Sequence, residues 1–233
     1  MVYGPLYAVY GLPYTAYLIL APCFFLFGGR VAMSPRRKDP QLAARRREAL
    51  VKAGYAEILE KGIDGLTLDS VVARAHSSKG GALYYFPTKE DLLFAILDWL
   101  LGQLSRTLDD VVSTQESPRG RLVAELEVLF HSAEVNRKLY LVLFDYLRMS
   151  MRSGRFRSLL ASFLQSCRCR DMTIIEDGVK SQQFRRVNAE SAAATIRALV
   201  DGYCLQWLLN PDAAPLETYR DRCRAVLGAY LLR

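Results

Sequence analysis

The sequence predicts an all-α protein: a three-helix amino-terminal head with a helix-turn-helix outline, followed by a larger carboxy-terminal helical body. Three observations lead there. Apolar residues recur at three- and four-residue spacing from about residue 41 onward. No sustained period-two alternation is present, and no Asn-Gly or Asp-Gly turn joins β-branched runs, so a sheet is not expected. Capping residues and helix breakers divide the pattern into separate segments.

The segments follow in order. A first helix is expected over 41–61, with Val51, Tyr55, Ile58 and Leu59 on one face and a stop at Gly62. A short helix over 68–75 has Thr67 as its N-cap, and a second short one over 79–85 follows His76, Ser77 and Ser78. Pro87 ends it. Thr88 then caps a longer helix whose Leu92, Leu93, Ile96, Leu97, Leu100, Leu101 and Leu104 form an apolar stripe linking head to body. Beyond Pro118, five apolar blocks cover 119–133, 136–153, 155–180, 189–209 and 215–232, with breaks at Gly154, "QQFRRVN" and "NPDAAP".

Composition bounds the function. The 233 residues are 51% hydrophobic, enough for a substantial core, and the formal net charge of +7 favours a polyanionic partner. Its densest clusters are Arg36, Arg37, Lys38 and Arg45, Arg46, Arg47. Five cysteines at irregular spacing suggest neither a disulfide framework nor a zinc site, and read as reduced cytosolic thiols. Cys167 and Cys169 lie beside Arg168 and Arg170; a redox role is the sharper reading and idle thiols the plainer one. With two histidines and no GxSxG, P-loop or HExxH motif, no enzyme is expected, nor any metal or cofactor.

Residues 1–29 carry no charge, but Pro5, Pro13 and Pro22 interrupt any span of the ~20 residues a membrane helix needs. Met33 then opens "MSPRRKDPQLAARRREAL". The expectation is that 1–32 is an apolar extension from a misassigned start and that the protein is cytoplasmic. The rival is a membrane anchor with Arg30, Arg36, Arg37 and Lys38 on the cytoplasmic side.

Two short helices joined by a tight turn and preceded by a longer helix are the outline of a DNA reader whose second short helix enters the major groove. Gly80 and Gly81 would let that helix approach the duplex closely, although each costs about 1 kcal/mol relative to alanine. Ser78 as N-cap leaves backbone N–H groups near a phosphate, and Lys79 adds charge. Tyr84 and Tyr85 can donate to phosphates. "GIDGLTLDSVVARAHSSKGGALYYFPTKEDLL" resembles the DNA-binding region of the TetR family of transcriptional regulators, over roughly residues 43–100. The resemblance implies phosphate contacts from Thr67, Tyr84, Tyr85 and Lys89, groove contacts from Ser78, Lys79, Gly80 and Gly81, and a core role for Phe86. His76 stands where that family has glycine, in a turn that suits a positive φ.

The resemblance divides the chain into a DNA-binding domain over 40–100 and a regulatory, ligand-binding and dimerisation domain over 101–233. It implies a repressor on double-stranded operator DNA, released by a small apolar or aromatic effector. Tyr140, Phe144, Met149, Phe163 and Trp207 are the candidate effector contacts. The end of the chain, "AAATIRALVDGYCLQWLLNPDAAPLETYRDRCRAVLGAYLL", resembles that family's last two helices, which pair with their copies in a homodimer. Ile196, Leu199, Val200, Tyr203 and Trp207 form one apolar face there, and Tyr219, Cys223, Val226, Leu227 and Tyr230 the other. "GVKSQQFRRVNAES" departs from the family's Gly-Glu-Phe-Arg turn at Gln182 and Gln183.

Overall fold

Side-chain caps set most of the helix starts. The computed structural model describes residues 39–232, which leaves the apolar segment 1–32 outside the described residues. The first helix, α1 (Pro40–Gly65), begins at Asp39, whose carboxylate accepts from the Gln41 backbone N–H at 2.9 Å. Its geometry breaks at Gly62, at φ 72°, where the sequence placed the stop. Thr67 caps α2 (Leu68–Arg74) in a reciprocal box with Ser70, and Ser78 caps α3 (Lys79–Tyr85). Thr88 caps α4 (Lys89–Ser113) by accepting from the Asp91 N–H at 3.1 Å.

The body adds α5 (Pro118–Leu129), α6 (Ala133–Ser150) and α7 (Gly154–Lys180), then α8 (Ala189–Leu209) and α9 (Leu216–Leu231). Ser117, Ser132 and Asn188 cap α5, α6 and α8. The only β feature among the described residues is a single bridge between Phe184 and Leu232. Phe184 is buried there, and the Arg185 N–H donates to the Leu231 carbonyl at 2.8 Å, tying the turn after α7 to the end of α9. Gln182, one of the two departures in that turn, takes φ 60°.

In the head, Leu50, Val51, Tyr55 and Ile58 of α1 meet Val71 of α2, Ala82 of α3 and Phe86 in one core. Phe86 is 2% exposed, the buried residue that the resemblance implied. Glu57, itself buried, clasps α1 to α2: its carboxylate accepts from Lys61 and from Arg74, each at 2.6 Å. The Lys61 and Arg74 bonds outweigh burial and hold the Glu57 carboxyl down to about 2.

The stripe of α4 continues from head to body. Leu92, Leu93 and Ile96 pack in the head, and Leu100, Leu101, Leu104 and Leu108 carry the core onward. At the junction the buried Tyr146 hydroxyl donates to the Leu93 carbonyl at 2.9 Å. Beside it, the Arg155 guanidinium lies 3.8 Å over the Phe94 ring and donates to Asp91 at 2.8 Å. The corner between α6 and α7 is therefore fastened to the first turn of α4, immediately after α3. No helix among the described residues is long and apolar enough to cross a membrane.

Candidate DNA-binding face and regulatory core

The connection between α2 and α3 is tight because one residue, His76, adopts φ 48°. The left-handed region is uncommon for residues with a side chain, and histidine is among those that tolerate it. That turn sets α3 on the surface with only Ala82 fully buried. Thr67, Ser78, Lys79, Gly80, Tyr84 and Lys89 are exposed, and Gly81 and Tyr85 are half-buried.

Cross-links bring these residues onto connected surface. The Lys79 ammonium pairs with Asp69, in the first turn of α2, at 2.8 Å, so the end of α2 that carries Thr67 meets the start of α3. The Lys89 ammonium reaches the Asp64 carbonyl at 3.4 Å, just before Thr67. Ser78, Gly81, Tyr84 and Tyr85 line a groove of about 900 Å³ together with Leu42 and Arg46 of α1. The Tyr84 and Tyr85 rings meet edge to face, with centroids 5.2 Å apart. Arg46 thus joins the tyrosines as a cation aimed at the same space. The sequence showed it only as part of a charge cluster, because its proximity to α3 depends on how α1 crosses the turn.

The two glycines differ. A Cβ at Gly81 would lie 3.0 Å from the Ser78 hydroxyl, which caps α3 by accepting the Gly81 N–H at 3.1 Å. Gly81 is therefore explained within the chain. A Cβ at Gly80 would meet nothing within 4 Å, so no contact inside the head asks for glycine there.

In the body, Tyr140 and Phe144 stack one turn apart on α6 with centroids 6.1 Å apart, and Tyr140 lies against Cys204 of α8, one turn before Trp207. Phe163 is half-buried on α7, on the same face as Cys167 and Asp171 at four-residue spacing. Met149 is separate: nine residues beyond Tyr140, it sits about 13 Å farther along the α6 axis.

Tyr140, through Arg197 and Asp201, borders an ionic cluster that periodicity did not reveal. Glu125 of α5 is 1% exposed and Asp171 of α7 is fully buried. Neither carboxyl group has a hydrogen-bond partner of good geometry among the described residues. Two arginines stand nearby: Arg170 donates to Asp109 at 2.8 Å and forms a looser ion pair with Glu125 at 3.8 Å, and Arg197 donates to Asp201 at 2.6 Å. Burial, reinforced by the charge of Glu125, pushes the Asp171 carboxyl up to about 9, which favours its neutral form at neutral pH. Burial also raises the Cys167 thiol and lifts Cys204 to about 12. Both thiols therefore carry less thiolate than an exposed cysteine would. Among the described residues no group of His, Cys, Asp and Glu is arranged to hold a metal ion.

Comparison with known proteins places both halves. A model described as bacterial regulatory proteins of the tetR family matches residues 50–96, and one described as the C-terminal domain of BetI-type transcriptional repressors matches residues 118–232. The HTH-type transcriptional regulator BetI of Burkholderia ambifaria is 29% identical over 177 residues, 74% of this chain and 86% of the relative. The crystal structure of a TetR transcription regulator from Haloarcula marismortui aligns with a TM-score of 0.74 at 25% identity, covering 81% of this chain and 99% of that one. A transcriptional regulator from Saccharomonospora viridis, solved in complex with choline, shares the fold with a TM-score of 0.75 at 19% identity, covering 82% and 99% of the two chains. A helix-turn-helix head with an exposed second helix, joined through α4 to a helical body and matched at both ends by models of one family, leads to one conclusion: the chain belongs to the TetR family of transcriptional regulators.

Proposed function

We propose that the chain is a homodimeric repressor, with residues 40–100 binding operator DNA and 101–233 sensing a small effector. The observation that carries this reading is the exposed, capped α3, whose Ser78, Gly81, Tyr84 and Tyr85 border one groove with Arg46. In this reading α3 enters the major groove. Thr67, Tyr84, Tyr85, Lys89 and Arg46 hold phosphates, while Ser78, Lys79, Gly80 and Gly81 lie against base edges.

Pairing through α8 and α9 supplies the second reading head. Ile196, Val200, Trp207, Tyr219, Cys223 and Leu227 are consumed by the chain's own core, but Leu205, Leu209 and Val226 remain 40%, 76% and 41% exposed. Those exposed side chains, with half-buried Tyr203 and Tyr230, support a face for a second copy.

The effector site is placed among Tyr140, Phe144, Phe163 and Trp207, beside Glu125 and Asp171, with Met149 at a more distant level. An apolar or aromatic body would pack against the rings. A cationic or hydrogen-donating group would meet the buried carboxyls, a reading supported by the choline in the Saccharomonospora viridis structure. Binding would favour a dimer whose two α3 helices no longer match major grooves about 34 Å apart, lowering affinity by differential binding to two states.

The test is fluorescence anisotropy on duplexes from beside the protein's own gene, at several salt concentrations. Affinity should fall steeply with salt and be lost in the double variant Lys79→Ala, Tyr84→Phe. Salt-insensitive binding, or binding unchanged in that variant, sinks the assignment. Choline added to the complex should release DNA if the effector reading holds.

A further inference from the structure

We propose that Leu83 is a specificity-determining residue of the reading helix, contacting the C5-methyl of a thymine in each operator half-site. This rests on the DNA-binding assignment of the head. The argument is one of elimination on a seven-residue helix. Gly80 and Gly81 carry no side chain, Ala82 is buried in the head core, and Tyr85 is half-buried along the groove shared with Arg46. The Lys79 ammonium, paired with Asp69 at 2.8 Å, is a charged donor suited to polar base edges and not to an apolar group.

On a helix, positions three and four residues apart share a face, so Gly80 is followed on its exposed side by Leu83 and Tyr84. Leu83 is 43% exposed and Tyr84 65% exposed. Tyrosine ends in a hydroxyl suited to phosphate; leucine has nothing to offer a phosphate. Open space at Gly80 brings the helix close to the groove floor, and the apolar side chain on that face is then Leu83. The major-groove edge of a base pair presents one apolar group, the thymine methyl. Covering that methyl removes both surfaces from water without leaving any polar group unpaired.

The experiment uses the full-length chain and duplexes selected from a random pool, followed by uracil replacement of each thymine in the selected half-site. Uracil lacks only the methyl, so at one position it should weaken wild-type binding about fourfold, equivalent to ~0.8 kcal/mol for one buried methyl. Leu83→Ala should weaken binding to the thymine duplex and become indifferent to uracil at that same position, a non-additive pair. Leu83→Gln should move the preferred base at that position from thymine toward adenine. Helical circular dichroism checks that both variants fold. Uracil neutral at every position in the wild type, or full uracil sensitivity retained in Leu83→Ala, overturns the proposal while leaving the DNA-binding reading intact. Failure of the wild type to select any duplex overturns that reading and the proposal with it.

Discussion

Replacing Asp171 by asparagine should stabilise the protein, and more so as pH rises. In the fold, burial and the charge of Glu125 raise the Asp171 carboxyl from an ordinary 3.8 to about 9. The unfolded chain releases this proton near pH 4 and the folded chain keeps it. Stability contributed by the site is therefore full below pH 3.8 and is lost progressively as pH rises to about 9. At about 1.4 kcal/mol per pH unit, holding the Asp171 proton costs up to ~4 kcal/mol by pH 7, a ceiling for a buried carboxyl coupled to its neighbours. Asparagine has nearly the same shape, is neutral at every pH, and presents an N–H donor to Glu125 in place of the carboxyl proton. Thermal unfolding at fixed protein concentration should show Asp171→Asn above wild type by roughly 2–4 kcal/mol at pH 7, which is on the order of 10 °C in Tm. The gap should close toward pH 4.5. A variant that is destabilised, or whose advantage does not change between pH 5 and pH 8.5, shows that Asp171 is ionised in the fold and refutes the reasoning.

Three further outcomes are expected. Asp69→Asn frees the Lys79 ammonium and removes a carboxylate near the DNA phosphates, so operator affinity should rise several-fold at low salt with a steeper salt dependence, measured by anisotropy. The exposed ion pair it deletes is worth less than ~1 kcal/mol, so stability should barely move. His76→Val puts a β-branched residue at φ 48° and should lower stability by about 1–2 kcal/mol, read by urea unfolding, whereas His76→Gly should not. Arg155→Ala removes the guanidinium that, ahead of the Thr88 bond, depresses the Asp91 carboxyl; its titration, followed by NMR, should move upward. The same variant should loosen the corner between α6 and α7 from α4, seen as faster amide exchange in the first turns of α4.

Local chemistry was legible. The limits of α3 and the start of α4 follow from Ser78, Pro87 and Thr88, and the caps Thr67 and Asn188 each act within three residues. The positive φ at His76 could be anticipated because His76 stands where the resembled family has glycine. The first helix was drawn to end at Gly62; it is assigned onward to Gly65, with the change of direction at Gly62 itself. Of the apolar faces read for the last two helices, Ile196, Val200, Trp207, Tyr219, Cys223 and Leu227 fill the chain's own core, whereas Val226, grouped with them, is exposed, as are Leu205 and Leu209. Met151, at the end of the helix that carries Tyr140, is 61% exposed. Periodicity identifies an apolar side of a helix without identifying what covers it.

The sequence by itself determined the helices and most of their ends, and it singled out α3 as the candidate reader of DNA. Both depend on interactions between residues a few positions apart: an N-cap hydroxyl, a proline, a glycine without a side chain. The tertiary structure decided what lies 46 or 72 residues apart, bringing Glu125 beside Asp171 and Arg197 inside the body and Arg46 beside Tyr84 at the groove. A charged residue on a helix reads locally as a solvent-facing one. Whether it meets water, a phosphate or another buried charge is settled only when a distant helix packs against it and changes the dielectric around it.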